Sequence, residues 1–170
     1  MRLVSDTTAL RRLHPDDLHA FLAYRNDPVV AQYQSWDAMD PDQAAGFLSH
    51  MATITPLIRP GHWTQIAIAE ATCDALLGDM GLHLSADSTE AEMGITLSRA
   101  AQGHGHATRS VALAAKLLFD TSPITHFRAW ADTRNTASCR LMLRAGFKHL
   151  GVEVTDGLAE DAFVLDRPNM

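Results

Sequence analysis

Residues 90–119 read EAEMGITLSRAAQGHGHATRSVALAAKLLF, and the fold turns on how they are parsed. Ala91 to Leu97 predict a strand, Gln102-Gly103-His104-Gly105-His106-Ala107 a tight glycine-rich turn, and the apolar spacing beyond it a long amphipathic helix. A turn of this kind aims backbone N–H groups at whatever lies at the helix N-terminus, where the helix dipole favours negative charge. The stretch is therefore first an anion site, best suited to a phosphate.

Working outward, the 170 residues suffice for one domain with a real core, so 1–170 is expected to be a single unit. Hydrophobic residues make up 46% and charged residues 20%, which argues against disorder. A net charge of −6 is a poor footprint for nucleic acid and a tolerable one for a cationic or amine-bearing partner. Cys73 and Cys139 form no CxxC pair or disulfide framework, so both are expected reduced in a cytoplasmic protein. The opening MRLVSDTTALRRL lacks an apolar signal core. The longest apolar run, Val111 to Phe119, is broken by Lys116 and falls short of the ~20 residues that span a bilayer. No membrane association is expected.

Before the central stretch, Thr8 to Leu13 predict a short strand, and His14-Pro15-Asp16-Asp17 a helix start with carboxylates at its positive end. Asp27-Pro28 and Asp40-Pro41 repeat that signal, so the first third is helical and reads as a cover. Trp63 to Ala71 predict a strand with Ile66 and Ile68 on its better-packed face, closing a hairpin onto Ala75 to Leu84. Gly78 and Gly81 in that second strand mark a bulge or a close backbone approach. After the long helix, Ile124 to Asp132 predict a strand parallel to the one before it. A helix then runs from Asn135-Thr136 to Gly146, and Phe147 to Val154 with Ala162 to Leu165 form a last hairpin. The class is α+β.

Two nucleotide motifs fail on the glycine turn. A dinucleotide fingerprint needs a third glycine where Thr108 stands, and a P-loop needs Gly-Lys-Ser/Thr. What remains, GITLSRAAQGHGHATRSV followed by ADTRNTASCRLMLRAGF, resembles the acetyl-CoA-binding core of the GNAT superfamily of N-acetyltransferases. The opening TALRRLHPDDLHAFLAYRNDPVVAQYQSW, with LLGDMGLHL, is similar to the branch containing the ribosomal-protein N-terminal acetyltransferases; the likeness runs from about Thr8 to Gly151.

The resemblance implies a mixed, mostly antiparallel sheet with helices on both faces and two parallel strands splayed into a V-shaped cleft. It implies acetyl-CoA as co-substrate, with its pyrophosphate on the backbone amides of Gln102, Gly103, His104, Gly105, His106 and Ala107. The pantetheine arm would lie along Ile95, Thr96 and Leu97, with Asn135 and Ser138 near pantetheine and thiol. Asn135 also reads as a plain helix cap.

Acetyl transfer to an amine needs a deprotonated nucleophile, a polarised thioester carbonyl and a proton for the leaving thiolate. A protein N-terminal amine, with a reference pKa of about 7.7–8.0, needs only a modest base. Glu92 is the first candidate, set against the reading of a solvated carboxylate that shares its strand face with Glu90. His83 and Glu70 follow it. A backbone N–H near Leu97 would polarise the carbonyl. Many family members carry a tyrosine where this chain has Met142, so Ser138 or solvent would protonate the thiolate.

His104 and His106 are expected to flank the pyrophosphate as imidazoles; with no supporting carboxylate or cysteine spacing, they are not expected to hold a metal. Trp36, Trp63 and Trp130 read as core or pocket wall, and Cys139 as a packed thiol. The leading function is acetyl-CoA-dependent acetylation of a protein N-terminal α-amine by direct transfer. Alternatives are a small-molecule amine acceptor, such as an aminoglycoside or polyamine, and a non-catalytic acyl-CoA-binding module. A homodimer through edge strands or the C-terminal hairpin is compatible with the sequence.

Overall fold

The computed structural model describes residues 1–168. Its elements, in chain order, begin with β1 (Arg2–Ser5), β2 (Thr8–Arg12), α1 (Leu18–Arg25), α2 (Pro28–Ala31) and α3 (Pro41–Thr53). β3 (Trp63–Glu70), β4 (Leu76–Leu84), β5 (Glu90–Leu97) and α4 (His106–Thr121) follow, then β6 (His126–Asp132), α5 (Thr136–Arg144), β7 (Lys148–Thr155) and β8 (Leu158–Asp166). The strands form one sheet in the order β1-β2-β3-β4-β5-β6-β8-β7. Neighbours run antiparallel except β5 and β6, which are parallel and joined through α4, as a parallel pair requires.

The three proline-led helix starts hold. Asp27 and Asp40 accept N–H bonds from Val29 and Gln43, and His14 with Asp17 closes a capping box on a single 3-10 turn ahead of α1. Two expectations change. The first strand of the sheet is β1, whose polar RLVS is too short to show a period and pairs with β2 across a tight turn. β3 does not have one packed face but two: Ile66 and Ile68 enter a core with Val111, Ala114 and Leu118 of α4, while Ala67 enters a second with Phe21, Tyr24 and Leu48 of α1 and α3. A strand covered on both sides loses its polar alternation.

The sheet thus has an α4–α5 side and an α1–α3 side. On the latter α1 and α3 pack on β4 and β3, and α2 reaches the edge of β5. From β5 to β7 that face is open, and β7 is exposed along nearly its whole length.

Candidate active site

β5 and β6 pair from Glu90↔His126 to Met93↔Ala129 and then part, although β5 continues to Leu97 and β6 to Asp132. Each keeps its outer neighbour to the end, Leu97 opposite Gly78 and Asp132 opposite Glu160. A gap therefore opens inside a continuous sheet. The direction of the free groups follows from the flanking bonds. Ser98 N–H donates to Leu77 O (2.8 Å) and Ser85 N–H to Glu90 O (2.9 Å), so even-numbered residues of β5 turn to β4. Thr125 N–H donates to Thr89 O (2.8 Å) on the opposite edge. By alternation Ile95 and Leu97 direct N–H and C=O into the gap, whereas the backbone of Thr96 is engaged by β4. Gly78 lets β4 come this close, because a Cβ there would lie 2.1 Å from Thr96 O.

Beyond β5 a 3-10 turn (Arg99–Ala101) leads into the glycine turn. α2, α3 and α5 each begin with a side-chain cap, but α4 begins at Gly105 in the left-handed region (φ 81°) with no side-chain cap. Its first-turn N–H groups are left for an external acceptor. A side chain at Gly105 would meet both an unfavourable φ and Arg109, whose Nη1 would lie 2.7 Å from the new Cβ. Arg109 holds the turn by donating to His104 O (2.9 Å) and pairing with Asp6 (2.8 Å). Gln102 Nε2 donates to Leu97 O (3.1 Å), fastening the turn to the end of β5.

The imidazole of His106 does not flank this turn. As the first residue of α4 it packs inward, with Nδ1 2.9 Å from Thr8 Oγ1 and Nε2 3.9 Å from Glu70, and only 7% of the residue is exposed. The same contact puts Glu70 on the α4 side of the sheet, away from the open face. His104 is exposed at the rim.

α5 supplies the second wall. Asn135 Oδ1 accepts the Ser138 N–H (3.1 Å), so Asn135 is a true cap, and both residues line the cleft with Leu141 and Met142. Met142 is buried, 2% exposed. Behind them Cys139 lies 3.4 Å from Asp161, and burial together with that carboxylate pushes its thiol up, which disfavours a nucleophilic thiolate. Before α5, hydrogen bonds from the Arg134 guanidinium and backbone pull Asp132 down to about 2.

Glu92 lies on the open face, opposite His83 in β4 and Arg128 in β6. Burial pushes its carboxyl up; His83 works against the shift and Glu160 adds to it. Its neighbour Glu90 is held by a bidentate pair with Arg128 (2.9 and 3.0 Å). The β5 wall of the cleft begins one residue after Glu92, at Met93, and the opposite wall includes Trp130 and Glu160. The cleft encloses about 420 Å³. Trp63 lies beside His83 with the rings tilted, 5.3 Å between centroids, and is half exposed, and Trp36 lies against the Arg25 guanidinium.

Val29, Val30 and Tyr33 close the cleft from the helical side. They are positioned by a buried cluster in which Arg25 pairs with Asp79 (2.6 Å), Tyr24 OH donates to the same carboxylate (3.0 Å), and Arg25 sits between Phe21 and Trp36. Arg99 Nε reaches 2.7 Å from Asp27, clasping the start of α2 to the turn before α4. Glu160, Asp79 and Tyr33 were not legible as site residues, since their places depend on strand order and helix docking. A larger groove of about 710 Å³ beside Arg11 and Asp17 shares no residue with the cleft, and these two groups already pair with each other at 2.8 Å. Among the described residues no group of three His, Cys, Asp or Glu could hold a metal, and no helix is long and apolar enough to cross a membrane.

A family model described as an acetyltransferase (GNAT) domain matches residues 8–148. An uncharacterized N-acetyltransferase of Bacillus subtilis, YoaA, is 26% identical over 152 residues, covering 88% of this chain and 84% of that protein. Among solved structures, a GNAT-family acetyltransferase from Bacillus anthracis superposes with a TM-score of 0.84 at 16% identity, covering 98% of both chains. An acetyltransferase from Salmonella typhimurium that modifies the N-terminal serine of ribosomal protein L7/L12 gives 0.78 at 16% identity, again over 98% of both. The aminoglycoside acetyltransferase AAC(6')-Ib, in complex with coenzyme A, gives 0.75 at 18% identity over 95% of both. The cleft, the uncapped helix and the family match over most of the chain lead to one assignment: this protein belongs to the GNAT family of acetyltransferases.

Proposed function

We propose that this acetyltransferase takes acetyl-CoA as donor and acetylates the α-amine at a protein N-terminus by direct transfer. The observation that carries the reading is the parting of β5 from β6 after Met93 and Ala129, with an uncapped helix start at its mouth and Glu92 beside it. The residues suit the donor: N–H groups of Gly103 to Ala107 for the pyrophosphate, the gap-facing backbone of Ile95 and Leu97 for the pantetheine arm, and Asn135 and Ser138 for the thiol end. Thr96 contributes to the wall, and Gln102 acts through its brace on Leu97.

Acetyl-CoA, when bound, supplies the activated thioester. Glu92, half-buried and raised above the ordinary glutamate range, takes the proton of the acceptor amine through a water. The Leu97 N–H, turned into the gap, is the donor for a thioester oxygen. Ser138 or solvent returns a proton to the thiolate. Two of these parts answer the reading of a non-catalytic module: a raised carboxylate and a donor-bearing strand edge.

The choice of a chain terminus as acceptor rests on the open face from β5 to β7, which admits an extended segment, and on the net charge of −6. Two free thiols agree with a cytoplasmic setting. Thiol release from acetyl-CoA, assayed with a peptide panel, aminoglycosides and polyamines, tests the acceptor, with mass spectrometry locating the acetyl group. Acetylation confined to lysine side chains or to small amines would refute the N-terminal assignment.

Gly105→Val is expected to weaken CoA binding by tenfold or more, about 1.4 kcal/mol or greater. Calorimetry with CoA checks it, and wild-type affinity in the variant would refute the role given to the turn.

A further inference from the structure

The open face carries five carboxylates around the cleft, and they are not equivalent. Glu90 is held by Arg128, Asp132 by Arg134 (2.6 Å), and Glu153 accepts the Trp130 indole N–H (2.9 Å). Glu92 and Glu160 have neither a hydrogen bond nor an ion pair among the described residues. Glu160 sits in β8 directly between Asp132 of β6 and Glu153 of β7, half-buried and in the cleft wall. Arg144 of α5, the one arginine or lysine lining that cleft among the described residues, pairs with neither glutamate.

On the cleft surface just past Glu92 there is open space. Gly94, which follows Glu92 on the same face of β5, would place a Cβ in open space with nothing within 4 Å, and Trp130 lines the far side. A half-buried carboxylate without a partner is costly, and the cost falls when a cation arrives. A singly charged amine reaching this space offsets one of the two carboxylates and leaves the other uncompensated. A doubly charged acceptor offsets both.

We propose that Glu160 is the specificity-determining residue of the acceptor side, holding a second positive charge set back from the reacting amine. The inference rests on the acetyltransferase reading. Preferred acceptors are then diamines, or chain N-termini with a lysine or arginine close behind.

The test compares wild type with Glu160→Gln and Glu160→Asp on two matched pairs: diaminobutane against butylamine, and two peptides differing only in lysine or glutamine at the third position. Wild type should favour the doubly charged member of at least one pair by about ten- to a hundredfold in kcat/KM, expressed in KM. Which pair shows it identifies the source of the second charge. Glu160→Gln should bring that preference close to parity and Glu160→Asp should restore part of it, with CoA binding by calorimetry reporting that each variant is folded. Turnover without charge preference, or a preference that survives in Glu160→Gln, would overturn this inference alone. Bound CoA with no turnover on any amine would overturn the acetyltransferase reading as well.

Discussion

Glu92→Gln is expected to lower kcat by about a hundred- to ten-thousandfold, the range a general base contributes, while CoA binding stays intact. The wild-type acid limb should carry the same signature. Burial raises the Glu92 carboxyl, so kcat/KM should fall with decreasing pH at a value above the about 4.3 of an unperturbed glutamate. The stability consequence has the opposite sense to the activity loss. Between the unfolded and the raised folded pKa the folded state binds more proton, so stability drops as pH rises through that interval. At neutral pH the ionised Glu92 remains a burden on the folded state, and Gln removes it. The variant should therefore melt no lower than wild type. A pH–rate profile and a thermal scan check both halves; an active Glu92→Gln enzyme would sink the assignment.

The second large effect concerns Asp79. It is fully buried, and burial pushes its carboxyl up against the pull of Arg25 and Tyr24. Asp79→Ala leaves the Arg25 guanidinium, 4% exposed, without its counter-charge, and should cost about 3–5 kcal/mol of unfolding free energy. That is a large part of the about 5–15 kcal/mol a domain has in total. The paired replacement of Arg25 by Met and Asp79 by Leu should recover most of the loss, because no charge is then stranded. Urea melts of the three proteins test this. If the paired variant is as unstable as Asp79→Ala, the cluster stabilises through something other than its charges.

Much of this molecule is legible in its sequence. The strand at Ala91 to Leu97, the glycine turn and the long helix declare themselves through local chemistry: a short strand-forming run, two closely spaced glycines, a 3.6-residue period. The proline-led helix starts and the Asn135 cap are local too. What escaped was set by distant contacts. β1 shows nothing in RLVS because only pairing with β2 makes it a strand. His106 reads as a turn residue until Thr8 and Glu70, remote in sequence, draw its ring inward. Glu160 becomes a cleft residue because β8 inserts between β6 and β7, an order that no periodicity reveals.

The parallel run of β5 and β6 carries one more implication. Parallel strands end at the same side of a sheet, so the helices that follow them, α4 and α5, both start there. Their positive ends converge on the mouth of the gap, one from each wall. An acidic protein with a net charge of −6 thereby gathers an electropositive pole at one point of its surface. Attraction for a polyphosphate at that pole is a matter of fixed dipoles more than of mobile side chains. Its strength should still fall with added salt, because Gln102 to Gly105 are exposed and screening acts on fixed dipoles as it does on side chains.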